Sequence, residues 1–222
     1  MFYFALFFLE LAALFLLSRT LTRVLSHFFY QVTKSQHATI TGIAILFFPG
    51  TLLHELAHAI MAGLLRVPVG EMEFLPKIHE DKVKLGSVQI GHTDPLRRFM
   101  IGAAPFFFGT LILLGILFYT VQNHFFGNYF LIVFVGYLAF EIGNTMFSSN
   151  KDMEGALELF GTIIVLLIVF YFLGIRLPAI NPSIILGKPL VQEVFRQGSL
   201  FILVPLAIDT VVILLFHPKR RK

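Results

Sequence analysis

Six stretches of this chain stay apolar long enough to approach or reach the width of a bilayer, and no other feature limits the fold as much. They are residues 2–18, 38–65, 99–121, 128–147, 156–174 and 199–216. A helix that crosses the hydrocarbon core needs about 20 apolar residues, so six would take roughly 120. That leaves short loops in a chain of 222 residues. Composition agrees: 57% of residues are hydrophobic and 14% charged, against about 45–50% and about 25% in soluble domains. A soluble enzyme, a disordered chain and a nucleic-acid module are excluded. The expected fold is an all-α polytopic membrane protein, one membrane domain over 1–222 with about six transmembrane helices.

The first stretch carries Glu10 but lacks a basic leader and a small-residue cleavage site, so it reads as a span and not a signal peptide. The sixth is short and holds Pro205 and Asp209. With six crossings, the N-terminus, loop 66–98, loop 148–155 and the tail share one side. That side holds 11 Lys and Arg against 6 on the other, which places it in the cytoplasm. The expected location is a prokaryotic cytoplasmic membrane, with both termini cytoplasmic. The net charge of +4 then reflects topology, with the bilayer as partner and no nucleic acid. The tail Lys219-Arg220-Arg221-Lys222 reads as a topology anchor. Cysteine is absent, so any metal must sit on His, Asp or Glu.

Loop 66–98 is the one sizeable polar stretch between spans. Val67, Val69, Met72 and Phe74, then Val83, Leu85, Val88 and Ile90, alternate with polar residues between Gly70, Pro76 and Gly86. This predicts a small β element near the membrane surface. Within it, His79-Glu80-Asp81-Lys82 reads as a solvated turn, and His92 and Asp94 as the junction before the third span.

The chemistry is concentrated in His54-Glu55-Leu56-Ala57-His58. Histidines at i and i+4 share one helix face, so both imidazoles can reach one zinc ion. Glu55 is placed to take a proton from the water that the zinc activates. Such a short pattern arises by chance, and histidines inside a helix bundle can simply be hydrogen-bonded. Here all three ionisable groups lie within an apolar run, where they are expensive and mark function. A catalytic zinc needs a third protein ligand. The chain after His58 offers no further histidine at the usual spacing. Asp152, just past the fourth span, approaches the same membrane face as His58 and is the best-placed candidate. Glu141, within that span, is the alternative. Asn144, Thr145, Ser148 and Ser149 could hold water or bond helix to helix, and Pro49-Gly50 could bend the chain one turn before the motif.

Three segments carry a resemblance. Phe48-Pro49-Gly50-Thr51-Leu52-Leu53 leading into His54-Glu55-Leu56-Ala57-His58-Ala59 resembles the zinc helix of the site-2 protease family of intramembrane metalloproteases. Asp94-Pro95-Leu96 with Ile101-Gly102-Ala103-Ala104-Pro105 resembles that family's loop-to-span junction, with Ala104 where Gly is usual and Phe108 where Asn is frequent. Asn150-Lys151-Asp152 resembles its third-ligand segment, with Lys151 and Met153 in place of Pro and Gly. The likeness covers about residues 38–160. It implies a compact zinc metalloendopeptidase that cuts transmembrane segments of other membrane proteins. The implied metal ligands are His54, His58 and Asp152, and Glu55 is the implied general base. A strand of loop 66–98 would hold the unwound substrate. One rival, a membrane zinc-binding or transport protein, uses the same histidines without needing Glu55; the other, a catalytically silent scaffold for other membrane proteins, tolerates loss of the metal.

Overall fold

The computed structural model describes residues 2–73, 77–79, 82–84, 87–123, 127–147, 149, 152, 154–173 and 186–216. The expectations for Phe74, Pro76, Glu80, Asp81, Leu85, Gly86, Ser148, Asn150, Lys151, Met153 and the basic tail fall outside the described residues.

Helix α1 runs Phe2–Thr33, well past the apolar run that predicts it. The run stops at Arg19, but the buried seam does not. Phe7, Leu11, Leu14, Ser18, Leu21 and Leu25 are buried at alternating spacings of four and three, which is one continuous helical stripe. Arg19 and Arg23 lie off that stripe and are exposed. The loop expected over 19–37 is therefore helix as far as Thr33. Lys34, with φ of 52°, then reverses the chain. Ser35 caps α2 (Gln36–Leu46) by accepting from the Ala38 N–H.

The second predicted span is broken. Helix α2 ends at Leu46, Phe47 interrupts, and α3 (Phe48–Leu64) leaves at 68°. Pro49 sits in the first turn of α3, where its missing N–H costs nothing. Four short strands follow: β1 (Val69–Glu73), β2 (Lys77–His79), β3 (Lys82–Lys84) and β4 (Ser87–Ile90). They form two antiparallel pairs, β1–β4 and β2–β3, with Val69 opposite Ile90 and Ile78 opposite Val83. The small β element expected in loop 66–98 is present. Next come α4 (Pro95–Gln122), α5 (Tyr129–Thr145), α6 (Glu154–Phe172) and α7 (Pro189–Phe216).

The protein is a multi-pass membrane protein. Among the described residues α1, α4 and α7 are each long and apolar enough to cross, and the bent α2–α3 pair passes the same test only when its two helices are taken together. Helices α5 and α6 hold only shorter apolar stretches. The contacts give their directions. Phe140 stacks on Phe47 and His54 meets Thr145, so α5 runs parallel to α3. His58 meets Ile101 and Phe106 meets Phe147, so α4 opposes both. Asp152 then abuts Gly102, and Glu158 pairs with Arg98. Between Asp152 and Glu158 the chain thus moves toward the start of α4.

Phe4 packs on Phe195 with ring centroids 5.0 Å apart, and Phe28 on Phe216 at 4.6 Å. Helices α1 and α7 are therefore parallel, whereas the first and last of six alternating crossings would be antiparallel. The start of α1 and the end of α7 lie at opposite ends of the bundle, which corrects the expectation that both termini share the cytoplasmic side. The core between the helices is built from Leu14, Leu113, Ala139, Ile142, Met146 and Ile202. A second cluster gathers Leu21, Ile43, Phe47, Phe140 and Ile213.

Candidate metal centre

The site begins with how closely α3 approaches α5. A Cβ on Gly50 would lie 2.5 Å from Thr145 Oγ1 and 2.8 Å from the Glu141 carbonyl oxygen, so only glycine permits this contact. The Gly50 N–H donates to Glu141 Oε2 at 3.2 Å. One turn further along both helices, His54 Nδ1–H donates to the Thr145 carbonyl at 2.6 Å. On the other side of α3, buried His58 donates from Nδ1–H to the Ile101 carbonyl of α4 at 2.8 Å.

Those two carbonyls decide the tautomers. A carbonyl oxygen only accepts, so each ring carries a hydrogen on Nδ1, and each ring in its neutral form presents a lone pair on Nε2. The two Nε2 atoms are 3.2 Å apart. Asp152 brings Oδ2 to 3.7 Å from His54 Nε2 and Oδ1 to 3.5 Å from His58 Nε2. With both rings neutral, three electron-pair donors converge, an arrangement that suits a shared cation. The spacing fits one. Tetrahedral bonds of about 2.0–2.1 Å imply ligand–ligand edges of about 3.3–3.4 Å. Among the described residues this is the only such group of three, its ligand atoms all within 4.8 Å of one another. Nothing in the geometry identifies which metal it takes.

Asp152 reaches the histidines because the helix stops first. Met146 caps the end of α5, and the Ser, Asn and Asp that follow favour turns over helix. Ser149 N–H donates to Asp152 Oδ2 at 2.7 Å, and Asp152 N–H donates back to Ser149 Oγ at 3.3 Å. This is the reciprocal pattern of a capping box, and it aims the carboxylate. The Asp152 carbonyl rests against Gly102, where a Cβ would overlap it. Gly102→Ala is accordingly expected to push Asp152 away and weaken metal binding by about tenfold or more, the range of an outer-shell lesion. Gly115→Ala on the same helix, where a Cβ meets nothing within 4 Å, is the control and should bind as wild type. Titration of both apo-proteins with zinc against a competing chelator measures the difference. Equal affinities would remove Gly102 from this role.

The three residues expected to bind metal are thus together. Glu55 is half-buried and lines the same cavity of about 890 Å³. The alternative ligand Glu141 is not in the group: it is fully buried and receives the Gly50 N–H. Asp94 caps α4, with the Arg97 N–H on Oδ1 at 3.0 Å, and that hydrogen bond holds its carboxyl below the usual range. The junction reading of His92 and Asp94 agrees with this placement. No family model, curated protein or solved structure matches this chain. The Thr145 and Ile101 carbonyls that orient the rings left no trace in the sequence, since any residue offers a carbonyl. Gly50 and Gly102 were visible, but their neighbours were not.

Proposed function

We propose that this protein is a zinc-dependent intramembrane peptidase, hydrolysing peptide bonds in or beside a transmembrane segment of another membrane protein. The observation that carries the proposal is the convergence of two fixed imidazole lone pairs and a carboxylate, with Glu55 in the same cavity, inside a bundle of apolar helices. A nitrogen–nitrogen–oxygen donor set suits zinc, and two His with one carboxylate leave a fourth position open. When bound, zinc polarises the peptide carbonyl and acidifies the attacking water. Glu55 takes the proton from that water and returns it to the leaving amine as the C–N bond breaks.

The rest of the cavity supports a polypeptide substrate. Its volume of about 890 Å³ lies at the upper end of the usual range for ligand sites. Val88, Gln89 and Ile90 of β4 form part of its wall. Strand β4 pairs with β1 along one edge, and no described strand covers the other. An unwound substrate segment can add to that edge through its main chain, with β4 holding it extended beside the metal centre. A helical substrate must unwind first, because its carbonyls are otherwise committed to hydrogen bonds. The substrate's own membrane position, in a cytoplasmic membrane of a prokaryote, belongs to the same proposal.

The test uses liposomes holding the protein and a single-span polypeptide tagged at both ends. Cleavage is expected, is expected to stop with 1,10-phenanthroline, and should return when zinc is added. Zinc uptake into the vesicles without cleavage would replace the peptidase with a transporter. Neither activity across a panel of spans would leave the scaffold reading in its place.

A further inference from the structure

Asp209 lies on α7, 57 positions beyond Asp152, and its residue is 0% exposed. A carboxyl buried in a membrane span is expensive and is retained for a use. Among the described residues it makes one hydrogen bond, from Asn144 Nδ2–H to Oδ1 at 2.8 Å. The second Nδ2 hydrogen of Asn144 goes to the Phe140 carbonyl at 2.9 Å. Both partners accept, so the amide cannot turn over without facing oxygen with oxygen. Asn144 is consequently held from two directions.

What Asn144 holds in turn is the last turn of α5. Its neighbour Thr145 is the final residue of that helix. The last carbonyls of a helix have no partner within it, and helix ends fray. The Thr145 carbonyl is the one that takes the His54 Nδ1–H at 2.6 Å. Three residues before Asn144 on α5, Glu141 is tied to Gly50 of α3. The turn that aims His54 is therefore tied to both α3 and α7. Packing alone does not need the polar link, because Gly143 already seats Pro205 of α7, whose Cβ lies 3.0 Å from a Cβ built there.

We propose that Asp209 is a positioning residue for the metal centre: through Asn144 it fixes the end of α5 so that the Thr145 carbonyl holds the His54 ring in place. This rests on the metal-binding reading of His54, His58 and Asp152, and not on peptidase activity. The probe is Co²⁺ added to the apo-protein in detergent, read by affinity and by visible absorption, whose bands report ligand geometry. Asp209→Leu removes the acceptor, and Asn144→Ala cuts the link from the other end. Each is expected to weaken Co²⁺ binding about tenfold or more, as outer-shell partners do, and to shift the bands. Asp209→Asn keeps an acceptor of the same shape and should restore affinity to within about twofold, a difference below one hydrogen bond. Ile202→Ala, a buried apolar truncation on the same helix, should lower the melting temperature and leave the bands alone. Wild-type affinity and bands in both Asp209→Leu and Asn144→Ala would overturn the proposal. So would the same band shift in Ile202→Ala, since general loosening would then explain it. A wild-type protein that binds no Co²⁺ would instead refute the metal centre itself.

Discussion

Asp152→Ala protein is expected to leave purification almost free of zinc, where wild type carries about one ion per chain, the number a single three-ligand site holds. The expected loss of affinity is at least about 100-fold, beyond the ~10–100-fold typical of outer-shell partners. The reason lies in what remains. Two Nε2 lone pairs 3.2 Å apart would still face each other, but the carboxylate that closes the third corner would be gone. The net charge of the site would also rise by one, which disfavours a cation. Zinc per chain, measured by mass spectrometry beside protein concentration, decides the matter. Glu141→Gln is the matching control and should keep its zinc, because Glu141 faces the Gly50 N–H and not the histidines. Zinc retained without Asp152 but lost without Glu141 would move the third ligand to a residue the geometry excludes.

The histidine pair was legible because helical periodicity puts i and i+4 on one face, whatever the surroundings. Asp152 was legible for a different reason. The directions expected for the second, third and fourth spans match α3, α4 and α5, so counting crossings brought Asp152 to the correct end of the bundle. The mistakes lay outside those helices. Arg19 and Arg23 looked like the end of a span, yet the four-and-three spacing of Leu14, Ser18, Leu21 and Leu25 continued straight past them. That spacing was in the sequence, and a reading weighted toward hydropathy passes over it. The course of the chain from Asp152 to Glu158 had no comparable signal. It follows from Asp152 lying against Gly102 and Glu158 reaching Arg98, contacts between residues 50 and 60 positions apart. Second-sphere groups were the least visible, since a backbone carbonyl such as that of Thr145 or Ile101 is not encoded by its side chain.

Glu55→Gln should separate binding from chemistry. Glutamine has nearly the same shape as glutamate and cannot take up the proton of the attacking water at neutral pH. Glu55 does not belong to the cluster of ligand atoms, so the variant is expected to hold as much zinc as wild type. Its hydrolysis of a tagged membrane segment is expected to fall by about 10²–10⁴-fold, the usual contribution of a general base. The two readings together carry the weight. Loss of cleavage alone could follow from a disturbed α3, since Glu55 sits between His54 and His58 on that helix. Intact zinc with cleavage lost means that the histidines are undisturbed and that only the proton acceptor is missing. Cleavage preserved in Glu55→Gln would take the base away from Glu55 altogether. Zinc lost along with cleavage would make Glu55 part of the metal's own shell, and the role of the site would have to be rebuilt around four protein ligands, a closed and structural centre in place of an open and catalytic one.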